Sequence, residues 1–197
     1  MGDVVCDVTV SLDGFCAGVN QSIQNPLGEG GESLHRWQFE QTDQNAEEIA
    51  AITQASAFIM GRNMFGPPAG DINVDWVGWW GDNPPYHAPV FVLTHHHQPT
   101  ICLEGGTSFQ FITRGIHEAL EEAREAAGEQ SVAIAGGAQT ITQFLQAGLI
   151  DELRLHIAPI QLGHGEAITT EDIGLHMDRV SRRETPLVTH VTYQRRR

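Results

Sequence analysis

The chain has 197 residues, 41% of them hydrophobic, with a formal net charge of −14 and a pI of about 4.9. That length fits a single domain over residues 1–197 with a sizeable core. The charge excludes a nucleic-acid partner, which needs a basic face, and no apolar run approaches the roughly 20 residues of a membrane span.

The N-terminus, MGDVVCDVTV, enters a strand-like pattern at once, without the basic start and small-residue cleavage site of a signal peptide. Cys6, Cys16 and Cys102 are odd in number, widely spaced and free of any CxxC. They read as reduced thiols, and a cytoplasmic protein is expected. Arg195-Arg196-Arg197 is a basic run at the C-terminus and reads as a solvated tail.

In chain order, residues 5–12 alternate, with Cys6, Val8, Val10 and Leu12 on one face and Asp7, Thr9 and Ser11 on the other, the pattern of a half-buried strand. Asp13-Gly14 turns the chain into a long glycine- and asparagine-rich loop over 15–33. Residues 34–40 and 46–55 are expected to be helical, and Ser56 to Met60 a short strand closed by Gly61-Arg62. Residues 66–89, rich in Gly, Pro, Asp and Trp, read as a second long loop. Val90 to Thr94 is a continuous apolar strand of the kind buried on both faces of a parallel sheet, and Phe109 to Thr113 is another candidate strand.

Over 116–127, Ile116, Ala119, Leu120 and Ala123 form a helical stripe opposite Glu118, Glu121, Glu122 and Glu125, with Gly128 as the stop. Val132 to Ala135 is a strand that runs through Gly136-Gly137 into a helix whose buried face is Ile141, Phe144 and Leu145. Residues 151–158 form a strand ended by Pro159, and Leu187 to Tyr193 an edge strand after a polar stretch. Strands separated by helices mean an α/β fold with a mostly parallel sheet and late antiparallel additions.

The glycine pair is the most informative feature. Glycines let a ligand approach the backbone, and a helix N-terminus offers unpaired N–H groups and partial positive charge. Taken alone, Gly136-Gly137 fits either a phosphate turn or close helix–strand packing. Its position two-thirds along the chain excludes the Rossmann GxGxxG, which follows the first strand, and no P-loop Gly-Lys-Ser/Thr occurs. Gly61-Arg62 fits a turn or a phosphate grip, since a guanidinium can hold phosphate in a bidentate way. Arg62, Arg114 and the helix start near Gly137 are the candidate positive sites in an acidic chain. His95-His96-His97 cannot all face one ion from an extended segment, so no metal is expected. Asp151-Glu152 reads as a solvated strand opening, because adjacent residues face opposite sides. Trp37, Trp79 and Trp80 are candidates for stacking on a flat ring or for packing.

Four segments together, VTVSLDGFCAG (8–18), FIMGRNMFG (58–66), PVFVLTHH (89–96) and VAIAGGAQTITQFLQAGLIDELRLHIAPIQLGHG (132–165), resemble the dihydrofolate reductase-like superfamily. More narrowly they resemble the C-terminal reductase domain of the riboflavin-pathway (RibD) deaminase-reductase. The resemblance implies a three-layer fold with a mixed, mostly parallel eight-stranded sheet, NADPH as cofactor and often a homodimer. It implies that Gly61, Arg62 and Asn63 bind the cofactor with Arg62 facing the 2′-phosphate, that Leu93, Thr94 and His95 cradle the adenosine end, and that Gly136, Gly137, Ala138, Gln139 and Thr140 form the pyrophosphate turn. Ser11, Gly14 and Gly18, on to about Asn20, match a mobile loop over the nicotinamide. Asn20, Trp37 and Glu40 are the implied substrate contacts, with Asp43 a further possible carboxylate and Asp13 the candidate catalytic acid. An Asp-Gly turn is the competing reading for Asp13. The riboflavin-pathway enzymes carry a Glu before the glycine pair where this chain has Ala135, and the P-C-x-x-C of the deaminase half is missing. A stand-alone, cytoplasmic, NADPH-dependent oxidoreductase of a small planar N-heterocycle is expected, either pterin-like or a riboflavin-pathway aminouracil. The alternative is an NADP-binding protein without turnover.

Overall fold

Runs of β-branched and aromatic residues build a sheet buried on both faces. The computed structural model describes residues 2–67, 75–169, 173 and 176–196. The strands are β1 (Val4–Val10), β2 (Phe15–Ala17), β3 (Ala57–Gly61), β4 (Pro89–Leu93), β5 (Ile101–Cys102), β6 (Ser108–Ile112), β7 (Val132–Gly136), β8 (Glu152–Ile157), β9 (Glu166–Ala167), β10 (Met177–Thr185) and β11 (Val188–Arg195). The helices are α1 (Arg36–Glu40), α2 (Ala46–Ala51), α3 (Arg62–Phe65), α4 (Ile116–Ala127) and α5 (Ala138–Gln146), with 3-10 turns at Gly31–His35, Thr42–Asn45 and Glu104–Gly106.

The main sheet has nine strands among the described residues, one more than expected, in the order β10-β11-β8-β1-β7-β3-β4-β6-β5. The strands from β8 through β6 are parallel, while β11, β10 and β5 are antiparallel additions. A separate ribbon pairs β2 with β9. The chain lays β3, β4 and β6 outward in one direction, returns β7 into the slot between β1 and β3, and then places β8 on the far side of β1.

One face of the sheet packs Cys6, Val8, Ile59, Val132 and Ile134 on the apolar stripes of α4 and α5. The α4 stripe falls as its periodicity predicts, with Ala119, Leu120, Ala123 and Ala127 buried and Gly128 closing the helix at φ 61°. The other face packs Phe58, Met60, Val90, Val92 and Phe109 beneath Phe65, Tyr86 and partly buried Trp76 and Trp80. Phe144 is fully buried on α5.

Two expectations change here. First, β1 is not half exposed: Thr9 is buried, and the polar face lies beneath the layer of short helices over 31–51. Second, the segment near Leu187 to Tyr193 is not an edge. Val188–Arg195 is bounded by β8 and by β10, the true edge, which lay in the stretch read only as polar. Residues 178–184 of β10 are all exposed, so that strand carries no apolar alternation to detect. The 68–74 part of the expected loop over 66–89 lies outside the described residues.

A buried polar chain ties the short-helix layer to the sheet. Asn45 donates to the carbonyls of Gln41 (2.8 Å) and Trp37 (3.4 Å), and its Oδ1 accepts from His190 Nε2 (2.9 Å) and Arg183 Nη2 (3.2 Å). Arg183 pairs with Glu48 at 2.6 Å. The Nδ1 atoms of His190 and His156 are 2.8 Å apart. Trp37, fully buried, covers both rings at centroid distances of 4.9 and 5.1 Å.

Two predictions follow from this packing. Phe144→Ala should cost about 3–5 kcal/mol in urea unfolding, and a cost below about 1 kcal/mol would contradict its core position. Burial, then the neighbouring His156, lowers the His190 pKa from 6.5 to about 4. The unfolded chain therefore binds more protons between these values, so stability should fall as pH drops from about 6.5 to about 4. His190→Asn should reduce that slope in the unfolding midpoint, and an unchanged slope would show that His190 does not bear the cost.

Candidate functional site

A cleft of about 1830 Å³ opens along the C-terminal ends of the parallel strands. Ligands of open α/β sheets bind outside these ends where the strand order reverses, and here the reversal falls at β7. The cleft is larger than the roughly 300–1,000 Å³ of a site for one drug-sized molecule, so it can accommodate a dinucleotide and a second ligand together.

Its β7 end is built of backbone. The Gly136-Gly137 peptide is cis, and Gly136 has φ 133°, a region closed to side chains. A Cβ at Gly137 would meet nothing within 4 Å, so this part of the turn faces open space. Helix α5 begins at once without a side-chain cap; the Ala138 amide is engaged by Cys16, which leaves the next first-turn N–H groups, at Gln139 and Thr140, as the donors beside the cleft. Gly61 is required by proximity, since a Cβ there would lie 2.6 Å from Thr140 Oγ1. That contact brings the end of β3, and Arg62 with it, beside the start of α5. Arg62 donates to Asn63 Oδ1 at 3.4 Å and to the carbonyl of Pro67. Gly61, Arg62, Asn63, Leu93, Thr94, His95, Gly136, Gly137, Gln139 and Thr140 all line the cleft, as do His96, His97 and Ala135. Trp76, Trp79 and Trp80 form a rim, with Trp76 held by a 2.9 Å bond from its Nε1 to the carbonyl of Phe65.

The β1 end is different in chemistry. Asp7, Thr9 and His156 line the cleft floor beside His35, Phe39 and Glu40. The Asp7 and His156 side chains are 6% and 2% exposed, and His156 Nε2 lies 3.3 Å from Asp7 Oδ1. Arg154 Nη1 donates to Asp7 Oδ2 at 3.3 Å and its Nε to Glu152 at 2.6 Å. Burial, then His156, lowers the pKa of His35. The Glu40 carboxylate is held below its usual range by Arg36, which grips both oxygens at 2.7 and 2.8 Å. Phe39 is 80% exposed on the rim. Cys16 also lines the cleft, but burial pushes its thiol up to about 11, so it is protonated and a poor nucleophile at neutral pH.

Several expected site residues stand elsewhere. Asp13 is a loop staple: its carboxylate accepts from Ser11 Oγ (2.6 Å) and from the amides of Leu162 (3.1 Å) and Gly163 (2.7 Å), which hold its pKa down. The Asp-Gly turn describes it, and it does not line the cleft. Ser11 is buried within the same turn, and its hydroxyl also accepts from Phe15 N at 3.0 Å. Gly18 is buried by its 2.8 Å bond to Leu27 O. Asn20 is exposed and bonds Glu29 at 2.8 Å. From this loop Cys16 and Ala17 reach the cleft wall instead. Trp37 is core rather than a stacking platform. Ala138 is buried behind the wall. Arg114 is bound to Glu118 and lies 4.0 Å from Glu122, away from the cleft lining. Asp151 caps the sheet through Val4 N (2.9 Å) and Arg195 (2.6 Å) rather than being solvated.

Asp7 and His156 were missed because each looks like the solvent-facing member of an alternating strand. The available signal was a charged residue inside a strand otherwise rich in valine, VVCDVTV. Its partner is set by the pairing of β1 with β8, where Asp7 stands opposite Arg154 and Thr9 opposite His156.

The comparisons with known proteins agree with this architecture. The structure of a putative riboflavin biosynthesis protein from Shewanella sp. PV-4 is 22% identical, covers 99% of each chain and superposes with a TM-score of 0.66. Dihydrofolate reductase from Enterococcus faecalis, complexed with NADP(H) and RAB-propyl, is 14% identical over 98% of this chain and 96% of its own, with a TM-score of 0.56. The Thermotoga maritima diaminohydroxyphosphoribosylaminopyrimidine deaminase/5-amino-6-(5-phosphoribosylamino)uracil reductase is 14% identical, with a TM-score of 0.61 over 98% of this chain but 56% of that one. "Uncharacterized protein YyaP" of Bacillus subtilis (strain 168) is 24% identical over 175 residues, 84% of this chain and 79% of its own. Among the described residues no helix is long and apolar enough to cross a membrane. The fold is α/β and dihydrofolate reductase-like. The family model described as the RibD C-terminal domain matches residues 3–190, and the chain belongs to that family.

Proposed function

We propose that this protein is an NADPH-dependent reductase that transfers a hydride to a small planar N-heterocycle, a pterin-like or aminouracil-like compound. The observation that carries the reading is the two-ended cleft: a backbone anion cradle at Gly136-Gly137 with Arg62 beside it, and the buried Asp7–His156 pair at the other end of the floor. A dinucleotide phosphate needs the first, and a basic ring nitrogen is suited by the second. Membership of a family of reductases supports the same reading.

The donor set fits the cofactor. Amides at the start of α5 would hold the pyrophosphate, and Arg62, at the rim, the 2′-phosphate. Leu93, Thr94 and His95 would flank the adenosine. Bound there, NADPH supplies the hydride. The chain's own work is to orient the two ligands and to exclude water with the aromatic rim. Glu40, already gripped by Arg36, is placed to contact the substrate at the cleft edge. Ala135 leaves the approach to the glycine pair without a carboxylate, which favours a substrate other than that of the riboflavin enzymes that carry Glu at that position.

Titration of intrinsic tryptophan fluorescence with NADPH should show saturable binding. NADPH absorbance should then fall with at least one member of a panel of pterins, flavins and aminouracils. Tight binding without oxidation across the panel would favour an NADP-binding protein without turnover, and no binding would overturn the reading altogether. Arg62→Ala should weaken NADPH about tenfold or more and NADH little, the scale of a lost charge-assisted hydrogen bond. An equal loss for both cofactors would remove the assigned role of Arg62.

A further inference from the structure

The hydrogen-bond polarity of the cleft floor accounts for a proton. The Asn45 amide is oriented by its two carbonyl acceptors, Gln41 and Trp37, so its Oδ1 can only accept. His190 Nε2, at 2.9 Å from that oxygen, therefore carries hydrogen. Burial keeps His190 neutral down to about pH 4, so its Nδ1 is a bare acceptor. At 2.8 Å, His156 Nδ1 must then donate to it. Only His156 Nε2 remains, 3.3 Å from Asp7 Oδ1. Were Nε2 bare and Asp7 ionised, two lone pairs would face each other in a buried site, which is unfavourable. One proton therefore lies between them, on Nε2 as imidazolium or on Asp7 as carboxylic acid.

We propose that the Asp7–His156 pair, buried but lining the cleft floor, is the proton donor of this site, loaded by His190 and Asn45. The proposal rests on the reductase reading. The step balances on a C=N substrate: the ring carbon takes the hydride from NADPH, with its electron pair, and the ring nitrogen takes the shared proton. The products are a CH–NH group and NADP+, with Asp7 ionised and His156 neutral until water in the emptied cleft reprotonates the pair. The groups that face the pair are Arg154 of β8, His190 of β11 and His35 of the turn before α1, with Glu48 of α2 and Arg183 of β10 behind His190. Arg154 neutralises Asp7 and lets the carboxylate regenerate. His190, kept neutral, gives the proton no second resting place.

Two measurements test this. In the first, 15N-histidine NMR of the whole protein reads the ring protons without any ligand. His190 should be neutral with hydrogen on Nε2, and His156 should carry hydrogen on Nδ1 with a second proton on, or shared from, Nε2. A neutral His156 with a bare Nδ1 would overturn the proposal. In the second, Asp7→Asn and His156→Gln are compared with wild type on a substrate from the panel. Each should lower kcat about 100-fold or more, the usual worth of a general acid, and abolish the wild-type solvent deuterium isotope effect. NADPH affinity should change less than about twofold, since neither residue belongs to the phosphate end. Unchanged kcat in both variants, with wild type turning over, would overturn the donor alone. A wild type that oxidises NADPH with no substrate would overturn the reductase reading and the donor role with it. A variant that has lost folding would show it by losing NADPH binding, and the NMR result then decides.

Discussion

The cleft wall depends on β7 being laid between β1 and β3. Val132 and Ile134 on that strand are fully buried, sandwiched between the α4–α5 layer and the neighbouring strands. Parallel neighbours require a crossover, and α4 supplies the one that leads into β7. Because the chain reverses its direction of travel at this strand, the loops on either side diverge and leave a crevice at its end. Gly136 and Gly137 sit at that point, and a side chain at Gly136 would meet Met64 Sδ at 3.0 Å. Packing thus fixes the strand, and the strand fixes where exposed amides face the cleft.

The cleft joins two different electrostatic environments. At the β7 end the positive character comes from peptide dipoles and Arg62, which lets a chain of net charge −14 offer an anion a local site. At the β1 end the buried charged and titratable groups are paired, Asp7 with Arg154 and His156 and His190 with Asn45, while Trp37 Nε1 is buried without a hydrogen-bond partner. The same chain of bonds anchors the short-helix layer to β10 and β11. The proposed proton donor and the groups that anchor the short-helix layer are therefore members of one network, which couples the floor of the cleft to the edge of the sheet.

The elements with strong periodicity were legible. Helix α4 appears over the residues its stripe marked, and the glycine pair, Gly61-Arg62 and Leu93–His95 converge on one cleft as their order suggested. What escaped was set by tertiary pairing. Strand β10 shows seven consecutive exposed residues, so no pattern separates it from a loop. Asp7 and His156 resemble solvent-facing positions until the layer over 31–51 covers them. Asp13 has the composition of an acid near a site, yet its lone pairs are spent on Ser11, Leu162 and Gly163. A local motif names the residue types present, whereas only the fold shows which lone pairs are left to act.

In the proposed reading one cleft seats the dinucleotide and presents its reactive ring to the Asp7–His156 floor. A crystal structure with NADP+ bound tests it most directly. The pyrophosphate is expected against the amides of Gly137 and the start of α5, the 2′-phosphate at Arg62 and the nicotinamide toward the β1 end. A cofactor bound away from Gly136-Gly137, or with its nicotinamide turned from Asp7 and His156, would contradict it.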